Sequence, residues 1–212
     1  MKLQLGVLAS GRGSNFVAID DNCNSGILQA RVVCVISDIE NAPVIEIARK
    51  RGIPTFYLNP KEYAGKKSYN KAIIEVLKLH GVQLVVLAGY MRIIDDVLID
   101  AFPNAIMNIH PSLLPSFPGL HAQLQALEYG VKYSGCTVHF VDKGKVDTGS
   151  IIIQAIVPVL DNDDEDSLSA RILKKEHVIY SEAIKLFAQH RLRLTNDSRV
   201  VRILAPKKFN PR

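Results

Sequence analysis

Strand-like apolar runs alternate with helix-length segments through the first half of the chain, and this alternation restricts the fold more than any other feature. Residues 3–10 are a short apolar run closing on glycine-rich sequence, and residues 15–25 follow as a helix. Residues 31–38 are β-branched and read as a buried strand, residues 43–51 open with a proline that a helix's first turn accepts, and residues 54–58 form a third strand. Residues 66–80 place Ala72, Ile73, Val76, Leu77 and Leu79 on a helical face, with Gly81 suited to the C-cap. Residues 84–88, Leu-Val-Val-Leu-Ala, are almost wholly apolar, as expected of a strand covered on both faces. A βαβαβαβ order specifies an α/β fold with a parallel sheet and right-handed crossovers.

The second half changes rhythm. A short helix near residues 95–101 precedes a strand at 105–109 and a helix at 121–129. The strand-like runs 135–141 and 151–159 have no long helix between them, which predicts an antiparallel pair. A long helix is expected over 167–189, with the acidic run 161–166 complementing its macrodipole. Residues 195–198 read as a turn between short final strands. No repeat or low-complexity linker divides the chain, so the expectation is one domain over 1–192 with a basic extension over 193–212.

Composition narrows the function classes. The net charge is +5, but eight basic residues against Asp197 put +7 on residues 185–212, and 18 basic against 20 acidic residues leave −2 on the rest. The body is therefore no platform for nucleic acid. No apolar run approaches the roughly 18 residues of a membrane span, and the N-terminal run is too short for a signal peptide. Cys23, Cys34 and Cys136 are odd in number and widely spaced, which argues against a disulfide framework or a structural metal site. These features together predict a soluble cytoplasmic protein with no metal, no membrane contact and no nucleic-acid partner.

Three segments carry candidate chemistry. Gly11-Arg12-Gly13-Ser14-Asn15 lies between a strand and a helix; it is either a tight turn or an anion cradle, and Arg12 and Ser14 can both donate to phosphate oxygens. It lacks the Lys of a Walker loop and the third glycine of a dinucleotide fingerprint. Alternation puts Asn108 and His110 on one side of their strand, before a loop with prolines at 111, 115 and 118. A strand-end histidine is often merely structural, but this one lies at the carboxyl end of a strand, where open α/β sheets bind ligands. His121 is expected to cap or flank the next helix. Asp147-Thr-Gly149 is ordinary turn chemistry unless it folds back on His110, where a carboxylate would favour imidazolium.

Asn108-Ile-His110-Pro-Ser-Leu-Leu-Pro, Asp147-x-Gly149 and the Gly11–Asn15 loop together resemble the folate-dependent phosphoribosylglycinamide formyltransferases, over roughly residues 3–192. The resemblance implies a Rossmann-like formyltransferase fold: a mostly parallel sheet flanked by helices, with antiparallel strands in the C-terminal half. It also implies transfer of the formyl group of 10-formyltetrahydrofolate, a cosubstrate, to the amine of glycinamide ribonucleotide in purine synthesis. By motif, Asn108 and His110 would polarise the formyl oxygen and stabilise a tetrahedral oxyanion, while Asp147 would keep His110 protonated. Gly11, Arg12, Gly13, Ser14, Asn15 and Glu176 match positions that bind the ribonucleotide. Lys66, Met91, Arg92, Ile93, Ile94 and Asn108 match the folate site. Residue type alone favours a solvated helix carboxylate for Glu176, and leaves core and folate pocket equally open for Met91, Ile93 and Ile94. Methionyl-tRNA formyltransferases and formyltetrahydrofolate hydrolases are similar around the histidine, but 212 residues leave no room for the former's tRNA-binding domain and nothing precedes Leu3 to match the latter's regulatory domain.

Two departures stand out. The segment 142–146 is one residue longer than the family's usual spacing, with Lys143 and Lys145 at commonly acidic positions, and Ser150 replaces a frequent proline. Lys66 stands where an arginine is common, keeping the charge but losing the planar fork. Another formyltransferase with a different acceptor amine, or a non-catalytic nucleotide- or folate-binding module, are the competing readings.

Overall fold

The computed structural model describes residues 2–144, 146–195 and 200–206. In chain order it runs β1 (Leu3–Leu8), α1 (Ser14–Asn24), β2 (Ala30–Ser37), α2 (Pro43–Lys50), β3 (Thr55–Tyr57), α3 (Lys66–Leu79), β4 (Leu84–Leu87), α4 (Asp96–Ala101) and β5 (Ile106–His110). Then follow α5 (Ala122–Tyr129), β6 (Tyr133–Phe140), β7 (Ile151–Pro158), α6 (Glu165–Ala188), β8 (Leu192–Leu194) and β9 (Val201–Ile203).

Seven strands form one sheet in the order β3-β2-β1-β4-β5-β6-β7. The first five pair parallel, and β6 and β7 join antiparallel, as the missing helix between them requires. The order in which strands are added to the sheet reverses between β1 and β4, so the carboxyl ends of these parallel strands open a crevice. A separate antiparallel pair, β8–β9, is the pair of short final strands; residues 196–198 of the expected turn between them lie outside the described residues, as do Arg199, Lys207, Lys208 and Arg212 of the basic extension.

Each sheet face has its own core. Leu84, Val86, Met107 and Val138 pack with Phe16, Val44, Ile172 and Tyr180 from α1, α2 and α6. Val85, Leu87 and Ile106 pack on the other side with Tyr69, Ile73, Leu77 and Leu98 from α3 and α4. Alternation therefore turns Asn108 and His110 towards the α3/α4 side. The cross-strand pairs Asn108↔His139 and His110↔Thr137 put His139 and Thr137 there too. Among the described residues no helix follows α4 on that side over β5 and β6, and the loops after β5 and β6 cover these polar side chains instead.

Several boundaries shift for local reasons. α6 begins at Glu165, two residues early, because Asp164 is its N-cap: its carboxylate accepts from Ser167 N at 2.8 Å, and Ser167 Oγ accepts from Asp164 N at 3.0 Å. Leu79 is 81% exposed rather than on the buried face of α3, which runs through Tyr69, Ile73 and Leu77; two positions past Leu77 is some 200° around the helix. His121 occupies the N-cap position of α5 without a side-chain cap bond, and pairs with Glu165 at 3.5 Å. The three cysteines are buried thiols.

Candidate active site

Asp147 is where the site converges. It adopts a left-handed backbone (φ 59°), which aspartate tolerates better than most residues, and its side chain is 6% exposed. Oδ2 accepts from the Gly119 amide at 2.9 Å and lies 3.3 Å from His110 Nδ1. Oδ1 accepts a long hydrogen bond from Asn108 Nδ2 at 3.4 Å and lies 3.6 Å from His139 Nε2. Burial would push this carboxyl up. The hydrogen bond with His139, the Gly119 amide and the charges of His110 and His139 outweigh burial and hold it below the usual carboxylate range. Its stabilising contribution is therefore complete above the ordinary carboxylate value of about 4 and is lost as pH falls through the lowered one. The expected outcome is that the urea-midpoint gap between wild type and Asp147→Asn closes as pH drops below about 4.

His110 Nε2 donates to the Phe117 carbonyl at 2.9 Å, while Nδ1 faces the carboxylate. Two oxygen acceptors, one at each ring nitrogen, are complementary to imidazolium. The loop supplying Phe117 is held from below: Thr137 Oγ1 donates to Ser112 O at 2.7 Å and accepts from Leu114 N at 3.0 Å, and Gln154 Nε2 donates to Leu114 O at 2.9 Å. The Leu114–Pro115 peptide is cis.

Sequence reasoning missed His139. Its Nδ1 donates to the Phe140 carbonyl at 2.8 Å, and its Nε2 lies 3.3 Å from Asn108 Nδ2. A usable signal existed, because Thr137 and His139 alternate with apolar Cys136, Val138 and Phe140 in an otherwise buried strand. Ser10 and Asp38 were also missed; Ser10 Oγ donates to Asp38 Oδ1 at 2.6 Å.

The glycine loop follows β1. Gly13 (φ 78°) is the N-cap of α1, where a Cβ would come within 2.6 Å of Val44 Cγ2. No side chain caps α1, so first-turn amides remain available beside exposed Arg12 and half-buried Ser14. Asn15 is buried and donates through Nδ2 to Glu176 Oε2 at 2.8 Å, leaving its own Oδ1 without a partner. Glu176 is thus no solvated helix carboxylate: burial pushes it up more than Asn15 pulls it down. The folded protein is accordingly destabilised as pH rises through that raised value. Glu176→Gln is expected to raise the Tm of the unliganded protein at neutral pH, and to lose that advantage at acid pH, by calorimetry.

The loop after β4 does not bear out the core alternative. Met91 and Ile93 are exposed rather than core, and only Ile94 packs partly against the α3/α4 core. Arg92 lies 3.8 Å from Asp38 Oδ2 and 5.6 Å from the Tyr69 ring centroid, and the Tyr69 and Tyr90 hydroxyls are 2.8 Å apart. Lys66 opens α3 one turn before Tyr69, exposed and with no side-chain partner among the described residues. Lys143 pairs with Asp100 at 2.6 Å, and Lys145 lies outside the described residues. The structure thus unites Asn108, His110 and Asp147, and separately Asn15 and Glu176. Because β1, β4 and β5 are parallel neighbours, the Gly11–Asn15 loop, the 89–94 loop and His110 share one sheet edge. Among the described residues no three His, Cys, Asp or Glu cluster in a metal-holding arrangement, and no helix is long and apolar enough to cross a membrane.

The family model described as formyl transferase matches residues 3–184. The chain belongs to the formyl transferase family. It is 46% identical over 179 residues to the phosphoribosylglycinamide formyltransferase of Bacillus subtilis, covering 84% of this chain and 91% of that protein. It is 45% identical over 185 residues to the trifunctional purine biosynthetic protein adenosine-3 of Drosophila melanogaster, covering 86% of this chain but only 14% of that longer one. Among solved structures, glycinamide ribonucleotide transformylase 1 from Symbiobacterium toebii superimposes with a TM-score of 0.93 at 51% identity, over 96% of this chain and 95% of that one.

Proposed function

We propose that this formyl transferase moves the formyl group from N10 of 10-formyltetrahydrofolate to the primary amine of glycinamide ribonucleotide, as in purine biosynthesis. One observation carries the reading: His110, with an oxygen acceptor at each ring nitrogen and Asp147 buried behind it, lies on the same sheet edge as a glycine loop opening α1. The α1 amides with Arg12 and Ser14 receive the phosphate, and Asn15 and Glu176 meet the ribonucleotide beyond it. Exposed Met91 and Ile93 offer an apolar face to the pterin, with Arg92, Ile94, Lys66 and Asn108 around it.

The ribonucleotide amine attacks the formyl carbon, forming a C–N bond and an oxyanion. His110 exchanges the Phe117 carbonyl for the formyl oxygen and, with Asn108, stabilises that charge. Such a donor is worth about 3–4 kcal/mol in comparable sites. The amine loses its proton through water to the Asp147–His110 pair. N10 takes up a proton as its bond to carbon breaks, leaving tetrahydrofolate and the formylated ribonucleotide.

The test is folate absorbance with and without glycinamide ribonucleotide, with no metal added. Acceptor-dependent turnover is expected. Folate consumption independent of acceptor would instead mean hydrolysis, and ligand binding without turnover a non-catalytic module.

A further inference from the structure

Ser10, at the end of β1, makes three hydrogen bonds across the crevice that the proposed mechanism does not use. Its amide donates to Gly89 O at 3.0 Å, its Oγ accepts from Met91 N at 3.0 Å, and its hydroxyl proton goes to Asp38 Oδ1 at 2.6 Å. Asp38 follows β2; its side chain is 5% exposed, and its second oxygen lies 3.8 Å from the Arg92 guanidinium. A buried carboxylate is unfavourable unless it is hydrogen-bonded or paired, and this one has both kinds of partner, Ser10 on the loop after β1 and Arg92 on the loop after β4.

The chemistry of the three groups sets a direction. A carboxylate only accepts, so the single proton of Ser10 must point at Asp38. That leaves an Oγ lone pair for the Met91 amide and fixes the backbone at residues 89–91. Through its other oxygen Asp38 aims Arg92, which lies over the Tyr69 ring. From this geometry we infer that Ser10 and Asp38 are positioning residues that pre-order the loop over residues 89–94 for the formyl donor, setting donor affinity without entering the chemistry. The inference rests on the assignment of that loop to the donor under the proposed function. An amide at position 38 would donate as well as accept, freeing the Ser10 hydroxyl to turn and weakening its hold on Met91.

Steady-state kinetics on wild type, Ser10→Ala, Asp38→Asn and the double variant test it, with melting curves confirming folding. The donor KM is expected to rise about tenfold in each single variant, the loss of one charge-assisted hydrogen bond. The ribonucleotide KM is expected to stay within about twofold, because Arg12, Ser14 and Glu176 are untouched, and the double variant to be no worse than either single, because both act through one chain of contacts. A donor KM unchanged in both singles, additive effects in the double, or equal factors on both KM values and kcat would overturn the inference. Wild type lacking acceptor-dependent turnover would instead overturn the parent reading, and this one with it.

Discussion

Replacing His110 by alanine lowers kcat about 10³-fold or more, while ribonucleotide binding survives. The size follows from two losses at once: a donor to the developing oxyanion, worth about 10²–10³, and a route for the amine proton, worth about 10²–10⁴. The two overlap, so they do not multiply. Binding survives because the glycine loop and Glu176, the ribonucleotide contacts proposed above, sit on β1–α1 and α6, whereas His110 ends β5. The substitution also strips Asp147 of the imidazole nitrogen 3.3 Å from its carboxylate, so a stability loss of about 1–3 kcal/mol accompanies it. Asp147→Asn keeps an oxygen for the Gly119 amide but removes the negative charge facing His110 Nδ1, and the double variant is expected to be barely worse than His110→Ala alone. Single-turnover formyl transfer and ribonucleotide titration check the pair. A His110→Ala enzyme within tenfold of wild type would remove His110 from the mechanism.

How much of this was visible in the residue order depends on whether the relevant physics is local. Asn108 and His110 were legible because strand alternation is a two-residue rule, and the antiparallel β6–β7 pair because a parallel connection needs a long crossover. The Asp147–His110 contact was not, since it depends on the register of β5 against β6 and on the path of a loop 37 residues away. His139 was hidden for the same reason: its partner Asn108 is adjacent only after the strands pair. Ser10 and Asp38 look like any serine or aspartate at a strand end, where turn chemistry favours both. Met91 and Ile93 show the converse limit. Residue type cannot separate a buried apolar side chain from one displayed to solvent, and only the exposure of this loop in the fold distinguishes them.

The Asp-x-Gly spacing carries the second large effect. Gly149 belongs to no helix and has no left-handed backbone, yet an added Cβ would run into the Phe140 carbonyl oxygen and come within 3.3 Å of His139 Nδ1. That carbonyl already accepts from His139, and Phe140 N donates to Ser150 O at 2.9 Å, so both sides of the collision are pinned. Gly149→Ala can be accommodated only by moving the loop backbone, at a cost of about 1–3 kcal/mol typical of overpacking. Because Asp147 is two residues away, the displacement reaches its carboxylate and the His139 ring together. A shift on the order of 1 Å in a catalytic group costs about 10² in rate, so kcat is expected to fall about 100-fold while the protein still melts cooperatively. The ribonucleotide KM should hold, since neither Gly13 nor Glu176 touches this loop. A variant that loses stability but keeps kcat would show that Asp147 tolerates displacement, and that its charge, rather than its placement, is what His110 requires.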